Sequence, residues 1–127
     1  MSTLRFVTLA LLVIAALVAG CANAPWQPPV YETAIKSYYE AHASEYNGQC
    51  LAPYIDGFTR IEVVEETPDR LVVDARYLYR DRVKDQRGSD DNGSFMRECV
   101  RYNQRTFVLA RNDDQLQVTE MSGPRRN

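Results

Sequence analysis

The sequence has little of what metal centres, catalytic triads and nucleic-acid binders need. Its 127 residues include one histidine and no C-x-x-C pair, which argues against a zinc finger or a thiol redox motif. The 15 basic and 17 acidic residues nearly balance, so the chain is not built mainly to bind nucleic acid. No catalytic motif is recognisable. The length fits one small domain and excludes a large enzyme.

Hydrophobic residues are concentrated at the amino terminus. Arg5 is followed by residues 6–20, which carry no charge and include Thr8 as their one polar residue. A short basic start followed by an apolar run is typical of a secretory signal peptide. The run is shorter than the roughly 20 residues that a transmembrane helix requires, although an uncleaved signal anchor is an alternative.

The run ends in Leu17-Val18-Ala19-Gly20-Cys21, which resembles the lipobox of bacterial lipoproteins. The resemblance implies that residues 1–20 are a removed signal peptide and that Cys21 carries a diacylglyceryl thioether. In that family the freed amine can be acylated as well, for example with palmitate. No cofactor is expected apart from this covalent lipid. Two or three acyl chains hold a protein firmly on a membrane, whereas one does not.

The residues after Cys21 bear on cleavage and sorting. Ala22-Asn23-Ala24 could be an ordinary signal-peptidase site, but Pro25 directly after the cut is a poor context for that enzyme. Ala22 is not the Asp that retains lipoproteins at the inner membrane. By this resemblance we expect an exported envelope protein, on the inner leaflet of an outer membrane if the host has one. Its partners would be the membrane and an envelope protein or polymer.

Cys50 and Cys99 remain once Cys21 is assigned to the lipid. Disulfides form and persist in exported proteins, so these two cysteines are predicted to form a bridge. A metal or redox site is the alternative, and the lone His42 offers no suitable ligand spacing. No metal site is expected.

Periodicity divides the mature chain into a Pro-rich tether at 21–29, one domain at 30–122 and a polar tail at 123–127. Trp26 of the tether could lie at the lipid interface or pack on the domain. A helix is predicted at 30–47, with Pro28 and Pro29 at its entrance and Asn47-Gly48 as its stop. Strands are predicted at 58–66, 71–82, 95–111 and 116–121, with a turn at 67–70 and a bulge near Asn103 and Gln104. Alternation in the strand at 71–82 places Arg76 and Arg80 on its outer face and the following residues on its inner face: Leu71, Val73, Ala75, Tyr77 and Tyr79. The predicted inner face of the helix comprises Tyr31, Ala34, Ile35, Tyr38, Ala41 and His42.

One helix followed by four strands in a meander predicts an α+β fold, with the helix covering one face of an antiparallel sheet. This order and size resemble the cystatin-like and nuclear-transport-factor-like group, in which a curved sheet wraps a helix. The single helix favours the smaller cystatin-like form.

Two sets of residues are candidate sites. The first set is predicted to face inward and could line a pocket between helix and sheet, or could simply complete the core. It consists of Tyr38, His42, Tyr77 and Tyr79. Arg97, Arg101 and Arg105 share one parity of a strand and could bind anions, or could form salt bridges with interspersed acids on a solvated face.

The acidic residues offer two weaker candidate sites. Asp56, Asp74 and Asp81 could suggest a catalytic carboxylate pair, but Asp74 alternates with apolar residues and should face water. The segment 89–94 lacks the ligand spacing of a calcium loop and is predicted to be an ordinary loop.

The sequence therefore predicts a membrane-anchored, non-catalytic binding or scaffolding domain. The alternatives are a carrier with a ligand between helix and sheet, and a transport-factor-like enzyme that uses His42.

Overall fold

A computed structural model describes residues 25–83, 99–113 and 115–127. The predicted signal peptide, Cys21, Arg97 and the segment 89–94 lie outside the described residues. The described elements are helix α1 (Pro28–His42), a 3₁₀ turn (Tyr46–Gly48), and strands β1 (Pro53–Glu66), β2 (Arg70–Asp81), β3 (Arg101–Asn112) and β4 (Gln115–Met121). The strands form one antiparallel sheet in the order β1-β2-β3-β4, with α1 packed on it. The predicted α+β class is confirmed.

Helix α1 begins with Pro28 and Pro29, whose missing N–H groups need no partner at a helix start. Its buried stripe is Tyr31, Ile35 and Tyr39, each four residues apart. The predicted face was wrong at its carboxyl end, because Tyr39 lies in the core whereas Ala41 and His42 are exposed.

The helix also ends earlier than predicted. Ala43 adopts an extended backbone after the last helical residue and forms a β-bridge with Arg125. The predicted stop residues instead form the 3₁₀ turn, where Asn47 and Gly48 both have positive φ.

Strands β1 and β2 form a hairpin whose turn lies at 67–70, as predicted. The Thr67 amide donates to the carbonyl of Arg70 at 2.8 Å, and the Thr67 hydroxyl donates to the Asp69 carboxylate at 2.9 Å. The inner face of β2 follows the predicted alternation, and its buried residues are Leu71, Val73, Ala75, Tyr77 and Tyr79.

Strand β3 has no bulge at Asn103 and Gln104, so that prediction was wrong. Its register with β2 is unbroken from Ala110, opposite Arg70, to Arg101, opposite Tyr79. Odd-numbered residues therefore face the helix along the whole strand. The apolar pattern appeared to shift because polar residues occupy the inner face at this end.

The backbone of α1 approaches the edge strands β1 and β4 more closely than the central strands, so the sheet curls around the helix. The Cys50–Cys99 disulfide is present and buried, with Cα atoms 5.7 Å apart. It joins the segment before β1 to the residues that lead into β3.

We expect loss of the disulfide to destabilise the domain strongly. The bridge closes a loop with a sequence separation of 49. Such a loop restricts the unfolded chain by about 4 kcal/mol, most of the margin of a small domain. Urea denaturation of the wild type with and without reductant measures this, and a Cys50→Ser/Cys99→Ser variant should not respond to reductant. Equal stability of the oxidised and reduced wild type would contradict the expectation.

Candidate functional site

Side chains fill the space between helix and sheet at its centre. The rings of Tyr39 and Tyr77 meet edge to face with centroids 5.1 Å apart, and Tyr77 lies 6.5 Å from Tyr79. All three are buried. Nearer the surface, the rings of Tyr38 and His42 contact each other at a tilt of 43°, with centroids 4.3 Å apart. The structure therefore does not bring the four predicted pocket residues together around one cavity.

A buried ion pair lies below these rings. Arg105 Nη2 is 3.1 Å from Glu45 Oε1, and both side chains are almost fully buried. Glu45 Oε1 also accepts hydrogen bonds from the hydroxyls of Tyr39 at 2.8 Å and Tyr77 at 2.9 Å. Its other oxygen accepts one from Asn103 Nδ2 at 2.8 Å. Burying a charge is costly unless it is paired and hydrogen-bonded in this way.

Arg105 uses all five of its N–H donors. They reach the Tyr77 hydroxyl, Glu45 Oε1 and the carbonyls of Ser44, Ser122 and Pro124. The backbone also fits closely around the guanidinium. Gly123 has φ +82°, and a Cβ there would lie 2.8 Å from Arg105 Nη1. The predicted polar tail is thus fastened to the core.

Burial raises the pKa of both network tyrosines well above the usual value of 10.0. For Tyr39, the neighbouring Tyr77 and Glu45 raise the pKa further. For Tyr77, Glu45 raises the pKa while Arg105 opposes the increase. Both hydroxyls remain protonated donors, and no buried polar side-chain atom of the described ranges lacks a partner. The cluster is saturated and has a structural role.

Of the predicted anion-binding stripe the structure describes Arg101 and Arg105, and these two do not share an exposed surface. Arg105 points inward to Glu45 because it shares the helix-facing parity of β3, which corrects the prediction that it is exposed. Arg101 is exposed and lies over the Tyr46 ring at 5.5 Å.

The three aspartates do not form a catalytic pair. Asp56 contacts Arg80 at 3.2 Å, and Asp74 accepts a hydrogen bond from Thr106 at 2.5 Å. Asp81 is buried and accepts from the amides of Ala52 and Val83.

A metal-like grouping also has a structural explanation. One ligand atom each of Cys50, Cys99 and Asp81 lies within 4.8 Å of the others. Both sulfurs are bonded to each other, so neither is available as a thiolate ligand.

The outer face of the sheet is more open and carries three rungs across the strands. The apolar rung is Leu78 opposite Tyr102, and the cationic rung is Arg60 opposite Arg76. The anionic rung is Glu62 opposite Asp74.

Two shallow depressions adjoin at the cationic rung. One of about 340 Å³ is lined by Thr59, Arg60, Arg76 and Tyr102. A smaller one of about 70 Å³ is lined by Arg60, Glu62, Asp74, Arg76 and Gln104. We take these depressions as the candidate site.

Sequence reasoning missed Arg60 and Tyr102 at this site. It placed Arg76 on the outer face, but the pairing partner of Arg76 depends on a bulge in β1 between Phe58 and Arg60. The available signal was the antiparallel repetition of charge, Arg60-x-Glu62 on one strand and Asp74-x-Arg76 on the next.

Comparison with protein-family models, curated proteins and solved structures finds no match to this chain. Within the described residues, none of the helices combines the length and the apolar character needed to cross a bilayer.

We expect Arg105→Met to cost about 3–5 kcal/mol of unfolding free energy, because it leaves the Glu45 carboxylate buried without its cation. The Arg105→Met/Glu45→Gln double variant should lose less unfolding free energy than the sum of the losses in the two single variants. Arg101→Met, on the same strand and face but exposed, is the control and should cost less than about 1 kcal/mol. Urea denaturation measures all four variants, and equal losses at 101 and 105 would refute the role of the pair.

We also expect the domain to lose stability in alkali. The folded-state pKa values of Tyr39 and Tyr77 are raised, so their contribution is complete below pH 10.0 and declines as unfolded tyrosines ionise above it. Each contributes a slope of about −1.4 kcal/mol per pH unit there. Tyr39→Phe should make the slope of unfolding free energy against pH less steep by that amount, as measured by denaturation at increasing pH. Tyr102→Phe, which removes a hydroxyl outside the core, is the control. An unchanged slope in Tyr39→Phe would contradict this assignment.

Proposed function

We propose that this protein is a lipid-anchored envelope protein whose small domain binds a partner or ligand without catalysing a reaction. The observation that carries the proposal is the contrast between the two faces of the sheet. Between helix and sheet, Glu45 and Arg105 are buried and saturated by internal partners. On the outer face, Arg60, Arg76 and Tyr102 border an open depression. The chemistry available to another molecule therefore lies on an exposed surface.

The start of the described chain supports a short attachment to a membrane. Trp26 is buried, its indole N–H donates to the Thr67 carbonyl at 2.8 Å, and Arg111 lies over its ring at 4.2 Å. Trp26 thus packs on the domain rather than extending toward lipid. From Cys21 to Trp26 the chain can span no more than about 18 Å.

This fastening would orient the domain on a membrane. The Thr67 turn, at one end of the β1–β2 hairpin, would face the lipid surface. The strands would run away from the surface and leave the outer face of the sheet accessible. If the host has an outer membrane, we propose its inner leaflet as the location, on the lipobox resemblance and Ala22.

The two alternatives have less support. An enzyme using His42 would need a partner that orients or activates the imidazole, but His42 is exposed and stacks on Tyr38. A carrier would need space between helix and sheet, where Tyr39 and Tyr77 are in ring contact.

Replacing Cys21 tests the anchor. In the full chain expressed in a bacterium, Cys21→Ser should lose the lipid mass and leave the membrane fraction, because the acylated thiol is absent. Asn23→Ser, a change two residues away that keeps the thiol, should remain lipidated and membrane-bound.

Intact mass spectrometry and membrane fractionation measure both outcomes. A wild-type chain that is unlipidated, or that begins elsewhere than at Cys21, would refute the anchor.

A further inference from the structure

Like charges face each other on the outer sheet surface. Arg60 is directly opposite Arg76, and Glu62 is directly opposite Asp74. Directly opposed like charges destabilise a sheet, whereas exchanging one arginine with one acid would give two attractive cross-strand pairs. The ion pair between Arg60 and Glu62, at 2.9 Å along one strand, offsets only part of this repulsion because both groups are exposed. Each rung therefore keeps like charges together, and the two rungs touch where Arg60 contacts Glu62 on β1.

The local backbone favours this arrangement. The register of β1 shifts between Phe58 and Arg60, which places Arg60 opposite Arg76. The hydroxyl of the intervening Thr59 donates to the Arg76 carbonyl at 3.1 Å and ties the irregular segment to β2. Bulges of this kind redirect side chains and are frequent beside functional sites.

The two charged rungs retain hydrogen-bonding capacity. Among the described residues, Arg76 forms no side-chain hydrogen bond or ion pair. Glu62 uses only Oε2 with Arg60, and Asp74 uses only Oδ1 with Thr106. Each rung can therefore accept a ligand of opposite charge without breaking an existing hydrogen bond.

We propose that this surface binds a zwitterion whose carboxylate and ammonium are separated by a flexible chain, an ω-amino carboxylate. The carboxylate lies between the guanidinium groups of Arg60 and Arg76, and the ammonium lies between the carboxylates of Glu62 and Asp74. This inference rests on the proposed binding function and names its ligand class.

The spacing of the rungs sets the ligand length. Consecutive residues on one face are two positions apart along a strand, so the Cα atoms of Asp74 and Arg76 on β2 are about 7 Å apart. On β1 the side chains of Arg60 and Glu62 bend toward each other and meet at 2.9 Å. Planar guanidinium groups match the geometry of a carboxylate, and clustered carboxylates complement an ammonium. Tyr102, which is 61% exposed, lies on the side of the cationic rung away from the acids and borders the carboxylate end of the site.

A simple anion fits this surface less well. The two acids carry as much negative charge as the two arginines carry positive charge, so a dianion such as phosphate is repelled by the neighbouring rung. The same two groups occur in a free amino acid whose long side chain ends in an amine, and in a peptide whose carboxyl-terminal residue is lysine.

The test is an NMR titration of the detergent-solubilised, lipidated protein with ε-aminocaproate, caproate, hexylamine and inorganic phosphate. We expect ε-aminocaproate to bind at least about tenfold more tightly than each of the other three, because only it engages both rungs. The amide shifts should be largest around Tyr102 and Gln104. A peptide with a carboxyl-terminal lysine, compared with its amidated form, distinguishes a peptide source from a free amino acid.

Three variants locate the site. Arg76→Gln and Glu62→Gln should each weaken ε-aminocaproate binding about tenfold. Arg80→Gln, on the same strand but paired with Asp56 away from the two depressions, should bind as the wild type does. All changed side chains are at least partly exposed, and dispersed amide spectra confirm folding before each titration.

Several results would overturn the inference. The first is an affinity for caproate or phosphate equal to that for ε-aminocaproate. The second is a loss of ε-aminocaproate affinity in Arg80→Gln equal to that in Arg76→Gln. The third is the absence of amide shifts when ε-aminocaproate is added. If the protein remains lipidated and membrane-bound in that case, the ligand class fails while the anchor stands. If Cys21 carries no lipid but the zwitterion binds, the anchor fails while the ligand site stands.

Discussion

The domain is organised around the buried ion pair of Glu45 and Arg105. Glu45 follows the helix, and Arg105 lies in the middle of β3. The Arg105 guanidinium also holds the chain after the helix, through the Ser44 carbonyl, and the carboxyl-terminal segment, through the Ser122 and Pro124 carbonyls. A guanidinium with five fixed donors can satisfy such a set of acceptors, whereas a lysine could not. Because it also donates to the Tyr77 hydroxyl of β2, this one side chain joins four separated segments, its own strand included.

This pair also explains the composition of the core. The helix–sheet interface of so small a domain is rich in tyrosine, and the Tyr39 and Tyr77 hydroxyls are needed to solvate the buried carboxylate. Phenylalanine would fill the same volume but would leave Glu45 with unmet acceptors, a cost that a small core cannot easily offset. The disulfide stabilises the same end of the sheet, because Cys50 follows closely after Glu45.

Within the described part of the chain, one helix covers one face of the four-stranded sheet, and the other face carries a polar surface. That surface is not a random mixture of charges, since like charges share each rung and opposite charges alternate along each strand. Its order arises from the irregular register of β1, which sets Arg60 rather than a neighbouring residue opposite Arg76. Trp26 holds the start of the described chain at the Thr67 turn, so the proposed membrane attachment and the outer face would occupy different parts of the domain.

Much of the fold followed from local patterns. The helix start at the prolines, the 67–70 turn and the alternation in β2 are properties of short stretches of chain, and the sequence predicted them. It also predicted the pairing of Cys50 with Cys99, because two cysteines in a domain that is expected to be exported allow one connectivity. The prediction failed where two residues that are distant in sequence form a buried ion pair. Arg105 resembles a surface residue until Glu45 is known to lie beneath it, and this pair also placed polar residues on the inner face of β3.

The sequence by itself determined the α+β order of elements, through the periodicity of each segment, and the disulfide partners, through the number of cysteines. The expectation of a lipid on Cys21 rests on the resemblance of Val18-Ala19-Gly20-Cys21 to the lipobox. Only the tertiary structure decided which charges are buried and which are exposed, since this depends on strand register and on contacts across 60 residues of chain. That distinction removed Arg105 and His42 from the predicted sites and brought Arg60, Arg76 and Tyr102 together on the open face of the sheet.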